Sequence, residues 1–254
     1  MLFHQYKNII QQYTIEELLQ SDLLQLAHTH NISSYYTPFE HLNTQAKVVL
    51  VGITPGKVQW RNALTATQAA LSQGLEDHEV LAYSKQQAAF SGPIRNNLIK
   101  ILDAIGLPEK LQLQSTAALF DHAQHLVHMT AVLPHAIFVK GKNYNGTSPN
   151  MLKNAFLYQQ IQHYFLPKIQ LLPNSLYIPL GQSVIDVLIH LSSLGYLKEQ
   201  QILQGFPHPS GANAERIQYF LGLKPRADLS RVTDPVKIDQ AKSQLMQQMQ
   251  DLHF

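Results

Sequence analysis

The sequence predicts an α/β protein in which the short strands of a mostly parallel, four-stranded sheet alternate with helices. Two observations predict this class. Short apolar runs that end in glycine or proline recur along the chain, as expected for strands covered on both faces. Stretches with the 3.6-residue apolar period separate these runs, as expected for amphipathic crossover helices. With 254 residues, of which 45% are hydrophobic, the chain can bury a substantial core, and a single domain over residues 1–254 is predicted.

Each element is predicted from local signals. Thr14 and Glu17 have the spacing of a capping box, and the run Lys47–Gly52 is apolar and rich in β-branched residues. A helix ends at Gly106, and Ser148 begins a helix-start signal. In chain order, the predicted elements are helices over 1–40, a strand at 47–52, helices within 57–89 and 98–105, a strand from 125, a helix from 148 to about 165, a strand at 176–180, a helix at 184–194, a strand at 201–206, a helix from 214 and a helix at 233–252.

The composition excludes several classes of protein. The absence of cysteine excludes disulfides, thiolate zinc sites and cysteine-ligated iron–sulfur clusters. No apolar run approaches the roughly 20 residues that cross a bilayer, and no secretory leader is visible. A formal net charge of +2 does not by itself indicate nucleic acid, which needs clustered basic groups. A soluble, cytoplasmic protein without a membrane partner is therefore predicted.

Two loops carry the residues with the clearest chemistry. Gly52–Gly56, with the sequence G-I-T-P-G, follows the first predicted strand, and Gly205–Asn213, with the sequence G-F-P-H-P-S-G-A-N, follows the last one. In open α/β folds, ligand sites lie at the carboxyl ends of the strands, so we expect Thr54 and His208 at the same sheet edge. The helix predicted after Asn213 would direct its N-terminus, which favours an anion such as a DNA phosphate, toward the second loop.

The two loops resemble the paired active-site motifs of the uracil-DNA glycosylase superfamily. The segment Ala89–Gly92 and the pair Leu180-Gly181 extend the resemblance over about Val48 to Leu223. The resemblance implies a three-layer αβα sandwich and a DNA glycosylase that hydrolyses the N-glycosidic bond of a flipped-out base, leaving an abasic site. It also implies a monomer that acts on duplex or single-stranded DNA without a metal or another cofactor.

The resemblance assigns roles to individual residues. His208 would donate a hydrogen bond to the departing base, where negative charge develops, and Thr54 would hold the attacking water. Phe90 would stack on the flipped base, with Ile53 and Thr130 completing the base pocket. The residues expected at the DNA backbone in the two motifs are Pro55, Gly56, Ser210, Gly211 and Asn213.

Three departures from the family pattern leave the substrate open. Thr54 replaces the usual Asp or Asn and is a poor base, and Thr130 replaces an Asn that reads the uracil edge. Ala212 replaces the leucine that often wedges into the duplex. Uracil or another deaminated base, a hypermodified base of phage DNA removed in antiviral defence, and DNA binding without catalysis therefore remain alternatives. If the threonines do not mark altered specificity, the first carboxylates to examine are Glu76, Asp77 and Glu79.

Further features have a functional and a structural interpretation. Lys140 and Lys142 flank a glycine in a loop that either contacts DNA, with Tyr144 stacking, or is a solvated turn. Trp60 either extends a basic rim formed with Lys57 and Arg61 or packs in the core. The histidines of the run His122, His125 and His128 would diverge on a strand, so no metal site is predicted.

Overall fold

The computed structural model describes residues 2–252 and Phe254, apart from the side chain of Pro93. The chain is α/β, and it divides into two compact units. The first unit comprises Met1–Thr44, Val51–Ala89 and Met129–Pro173, and the second comprises Gln45–Leu50, Phe90–His128 and Asn174–Phe254.

The first unit contains a four-stranded antiparallel sheet in the order β1 (Gln25–Thr29), β2 (Ile32–Tyr35), β5 (Ala136–Val139) and β6 (Lys142–Asn143). The register places Ile32 of β2 opposite Val139 of β5, and Tyr35 opposite Ala136. The elements of this unit are α1 (Phe3–Gln12), α2 (Ile15–Gln20), β1 (Gln25–Thr29), β2 (Ile32–Tyr35), α3 (Lys57–Ser72), α4 (Asp77–Ala88), β5 (Ala136–Val139), β6 (Lys142–Asn143), α7 (Ala155–Gln160), a π-helical turn (Ile161–Phe165) and α8 (Leu166–Ile169).

The prediction of helices throughout residues 1–40 is wrong beyond Gln20. The capping box is confirmed, because the Thr14 side chain accepts from the Glu17 N–H and the Glu17 carboxylate accepts from the Thr14 N–H. The following residues form the β1-β2 hairpin, whose second strand gains a partner from β5, about 100 positions later. Such a non-local pairing overrides the local apolar period.

The helix predicted from Ser148 begins later than expected. Asn150 accepts hydrogen bonds from the N–H groups of Leu152 and Lys153 and so forms a turn. The helix α7 begins at Ala155, and Asn154 caps it by accepting from the Leu157 N–H at 3.0 Å.

Trp60 lies in the core of the first unit. Its side chain is 2% exposed, and its indole N–H donates to the Tyr36 carbonyl at 2.8 Å. The ring packs against Tyr35 and Phe138, with centroid distances of 5.1 and 5.8 Å. The structural interpretation of Trp60 is therefore confirmed.

A parallel sheet of three strands has the order β4-β3-β7. These strands are β3 (Val48–Gly52), β4 (Val127–Ala131) and β7 (Leu176–Pro179). All their residues are buried, which explains their continuous apolar sequences. The strand predicted at 201–206 is reduced to the parallel pairing of Ile202 and Leu203 with Tyr177.

The second unit consists mainly of helices. In α9 the buried residues Val184, Val187, Leu188 and Leu191 follow the helical period. The helices are α5 (Pro93–Ala104), α6 (Leu107–Leu111), α9 (Gln182–Ser193), α10 (Ala214–Phe220) and α11 (Pro235–Asp251). Among the helices of the described residues, none is long and apolar enough to cross a membrane.

Candidate functional site

The Thr54 hydroxyl contacts backbone groups of the first unit. It donates to the His135 carbonyl at 2.8 Å and accepts from the Ile137 N–H at 3.1 Å. A hydroxyl has one proton and two lone pairs, so these bonds leave one lone pair that can accept from a water. Thr54 can therefore orient a water, but a neutral hydroxyl is too weak a base to take a proton from it.

The first loop also begins α3. Pro55 is buried, and Gly56 is the N-cap residue of the helix. The Asn143 side chain accepts from the Lys57 N–H at 3.0 Å, and a Cβ on Gly56 would lie 3.4 Å from the Asn143 Nδ2. A side-chain amide therefore occupies one of the free N–H groups that a helix start otherwise offers to an anion.

The basic loop predicted to contact DNA is the turn between β5 and β6. Lys140 and Gly141 both have positive φ, at 51° and 73°, as a two-residue type I′ hairpin requires. The side chains of Lys140 and Lys142 are exposed. Tyr144 is 5% exposed and donates its hydroxyl to the Pro149 carbonyl, and burial raises the pKa of this phenol to about 12. This loop therefore offers two lysines to solvent but no free aromatic ring.

The other residues of the first unit that were predicted to act at the base lie near strand ends. Thr130 is 9% exposed in β4, and the Ile53 carbonyl accepts from the Leu133 N–H at 3.0 Å.

The three candidate carboxylates lie at the start of α4. Glu76 and Glu79 form its capping box, and Asp77 pairs with Lys7 and His4.

The second loop holds His208 in a defined protonation state. The His208 Nδ1 accepts from the Ser210 N–H at 3.2 Å, so the neutral ring carries its proton on Nε2. Burial lowers the pKa of His208, which favours this neutral form. His208 is therefore held as a neutral hydrogen-bond donor.

Two residues outside the predicted set position this loop. Gly181, which follows β7, lies under the His208 ring, and a Cβ there would be 3.2 Å from the His208 Cδ2. Asn97 of α5 donates to the Pro209 carbonyl at 2.9 Å. The Gly181 signal was visible in the sequence as a glycine after a strand, but nothing local indicated the role of Asn97.

The residues after His208 form a connected polar network. The Asn213 Nδ2 donates to the Ser210 Oγ at 3.2 Å, and Arg216 donates to the Asn213 Oδ1 at 3.0 Å. Gly211 is exposed at the surface of this network. Glu215 accepts from Lys224, Ser230 and Thr233, and these donors lower its pKa to about 2. The carboxylate therefore fixes the segment that follows α10.

Phe90 has an unusual backbone conformation. Its φ is +51°, a region that bulky residues rarely adopt, and its side chain is 8% exposed. A glycine would relax this backbone, so the aromatic ring is kept at a conformational cost. Phe90, His208, Ser210, Gly211 and Asn213 belong to the second unit, whereas the remaining predicted residues belong to the first.

The histidine run does not converge. The His122 side chain is 74% exposed and pairs with Asp121, whereas His128 is buried in β4. Within the described residues, no group of three or more His, Cys, Asp or Glu side chains is arranged to hold a metal ion.

We expect Gly181→Ala to lower any activity that depends on His208 by about tenfold, because a rate falls tenfold for each 1.4 kcal/mol of lost transition-state stabilisation. The new methyl group would displace the His208 ring by a few tenths of an ångström. Gly195→Ala is the matched control, because Gly195 also has a positive φ, at 81°, but no atom within 4 Å of the added Cβ. Single-turnover rates of the two variants check the prediction. Equal rates would show that the Gly181 contact does not position His208.

Comparisons with known proteins identify one clear relationship. No protein-family model matches the chain, and no solved structure matches it. The chain is 35% identical over 209 residues to the uncharacterized protein YoxB of Bacillus subtilis. The match covers 80% of this chain and 82% of YoxB. The chain therefore belongs to the same family as Bacillus subtilis YoxB.

Proposed function

We propose that this protein is a DNA glycosylase of the uracil-DNA glycosylase type, which hydrolyses the N-glycosidic bond of a flipped-out base and leaves an abasic site. The observation that carries the proposal is the state of His208. Its loop resembles the H-P-S motif of that superfamily, and its ring is neutral with the proton on Nε2. Breaking the bond between the sugar and the base leaves negative charge on the base, and a fixed donor stabilises that charge.

The proposal gains support from the surroundings of His208. The second unit supplies a preorganised loop, because Asn97 holds Pro209 and Asn213 holds Ser210. A donor that is already oriented needs no rearrangement in the transition state, which is where its contribution to the rate arises. The strained backbone of Phe90, a few residues before α5, is consistent with a ring retained for stacking on a base.

The finer fold that the proposal implies is a three-layer αβα sandwich around a mostly parallel four-stranded sheet. The three parallel strands and the Tyr177–Ile202 bridge are consistent with it. A second hydrogen bond, from the Leu203 N–H to the Tyr177 carbonyl at 2.8 Å, extends this pairing. A monomeric, cytoplasmic enzyme that uses no metal and no other cofactor completes the proposal.

A panel of oligonucleotides tests the proposal. Duplex and single strands carrying uracil, hypoxanthine, xanthine or modified pyrimidines are incubated with the protein and then cleaved with alkali. We expect strand cleavage at one class of base, because alkali breaks the chain at an abasic site. The absence of cleavage with every base, at enzyme in excess over DNA, would contradict the proposal.

A second candidate function is DNA binding without hydrolysis. The residue at position 54 favours it, because the neutral hydroxyl of Thr54, which is held by the His135 carbonyl, is too weak a base to deprotonate a water. In this case the panel would show a gel shift without cleavage. The gel shift should weaken as the salt concentration rises, since DNA contacts release counterions.

We expect Phe90→Leu to slow excision by raising its activation free energy by about 1 to 3 kcal/mol, which is the usual contribution of one base–aromatic stack. Leucine keeps an apolar side chain, so the stability should change by less than about 1.5 kcal/mol. Phe90→Tyr, which keeps the ring, is the matched control and should retain most of the activity. A Phe90→Leu variant with parental single-turnover rates would remove Phe90 from the base pocket.

A further inference from the structure

A cavity of about 450 Å³ lies wholly within the first unit, and no residue of the two motif loops lines it, although the carbonyl of His135 in its wall accepts from the Thr54 hydroxyl. Lys168 in its wall is partly buried, and the described residues contain no ion pair to it. The residues that line the cavity are Leu2, Gln5, Glu40, His135, His163, Tyr164, Pro167 and Lys168.

Lys168 has unused hydrogen-bonding capacity in this wall. Its ammonium donates to the Phe39 carbonyl at 3.4 Å, a long hydrogen bond, and it has two further N–H groups. Among the described residues, no carboxylate lies within ion-pair distance of the Lys168 Nζ. The amine is therefore available to a molecule in the cavity.

Burial favours the neutral form of Lys168. Burial lowers its pKa to about 8, although the Glu40 carboxylate raises it. Lys85 is fully buried nearby, donates to the His41 carbonyl, and has its pKa lowered by burial and by the charge of Lys168. At pH 8 about half of Lys168 is a free amine, compared with less than about 1% of an ordinary lysine.

The other polar groups of the cavity can assist an addition to a carbonyl group. His135 is neutral because burial lowers its pKa to about 3, and its Nδ1 accepts from the Thr37 N–H at 3.2 Å. Its proton is therefore on Nε2. The Tyr164 ring packs edge-on against His135 at a centroid distance of 4.6 Å, and burial raises the pKa of its hydroxyl. Both groups are donors at neutral pH.

Glu40 supplies a fixed base on the same wall. Its carboxylate accepts from the Leu2 N–H at 2.7 Å and from the Tyr36 hydroxyl at 2.6 Å. Each carboxylate oxygen has a second lone pair, so both can still accept a proton. The wall therefore presents an amine, neutral proton donors and a carboxylate around one space.

We infer that this cavity binds a small aldehyde or ketone and that the Lys168 amine adds to its carbonyl carbon to form an imine. The Lys168 lone pair forms the C–N bond while the C=O π electrons move to oxygen, which takes a proton from the Tyr164 hydroxyl and accepts a hydrogen bond from His135. The nitrogen loses one proton to Glu40, and Glu40 returns this proton to the oxygen as the C–O bond breaks and water leaves. The nitrogen lone pair forms the C=N bond, and the remaining N–H proton returns to the Tyr164 oxygen. One carbonyl compound and one amine give one imine and one water, with no oxidant or reductant.

Labelling with pyridoxal tests this inference. The protein is incubated with substoichiometric pyridoxal at pH 7.5, the imine is reduced with borohydride, and the labelled lysines are identified by peptide mass mapping. We expect label at Lys168 in preference to the exposed Lys198 and Lys237, because burial gives Lys168 a larger free-amine fraction than an ordinary lysine has at this pH. Equal labelling of the three lysines would overturn the inference.

The pH dependence and two variants sharpen the test. The labelling rate of Lys168 should reach half its maximum near pH 8. Lys168→Arg keeps the positive charge but cannot form an imine, so only the label at residue 168 should disappear. Glu40→Gln removes the charge that raises the Lys168 pKa, so the midpoint should move to lower pH. A midpoint above pH 10 in the parent protein would overturn the inference even if neither variant folds.

Discussion

His208→Ala should lower the single-turnover rate of base excision by about two orders of magnitude, the usual loss when one preorganised donor to a developing negative charge is removed. The ring of the parent protein is already oriented by the Ser210 N–H and by its contact with Gly181. The alanine variant loses the Nε2 donor but retains the loop, because Asn97 still holds the Pro209 carbonyl. DNA binding measured by fluorescence anisotropy should therefore change little.

The matched control for this prediction is His122→Ala. His122 is also in the second unit, but its side chain is 74% exposed and lies outside both motif loops. This variant should have the parental rate and the parental affinity for DNA. A His208→Ala variant with the parental single-turnover rate would remove His208 from the chemistry.

The pH dependence of excision should follow the protonation of His208. Burial lowers its pKa, so the ring remains neutral to a lower pH than an ordinary histidine. Once protonated, Nδ1 can no longer accept from the Ser210 N–H, and the rate should fall on the acid side. The lowered pKa of His208 also makes the free energy of unfolding depend on pH. As the pH falls, the unfolded chain binds a proton at this histidine at a higher pH than the folded chain does. The stabilisation that results is complete above about pH 6.5 and is lost as the pH falls below that value.

The parallel sheet could be predicted from the sequence, whereas the antiparallel sheet could not. The three parallel strands are short apolar runs whose burial on both faces is visible locally. The strand β2 has the sequence I-S-S-Y, which carries little local signal, and its neighbour β5 is about 100 residues away. Its formation depends on that partner. The fourth parallel strand has the expected place beside β7, but its pairing is limited to Ile202 and Leu203.

The candidate site could be predicted only as residue types, not as bonding states. The sequence indicated His208 and Thr54, but it contained no information on where their protons go. The His208 proton is fixed by a backbone N–H two residues later, and the Thr54 proton by a carbonyl in the β4–β5 connection. The Lys168 cavity had no local signal, because the residues that line it are brought together by the fold from distant segments of the first unit.

Trp60→Ala should lower the free energy of unfolding by about 3 to 5 kcal/mol, the usual cost of removing a large aromatic side chain from a core. Trp60 packs against Tyr35 and Phe138, and these rings would border the new cavity. Trp60→Phe keeps most of the ring but leaves the Tyr36 carbonyl without its donor, so it should cost about 1 to 3 kcal/mol. Urea unfolding of the three proteins measures both differences. If Trp60→Ala were as stable as the parent protein but bound DNA more weakly, Trp60 would belong to a DNA-binding rim and not to the core.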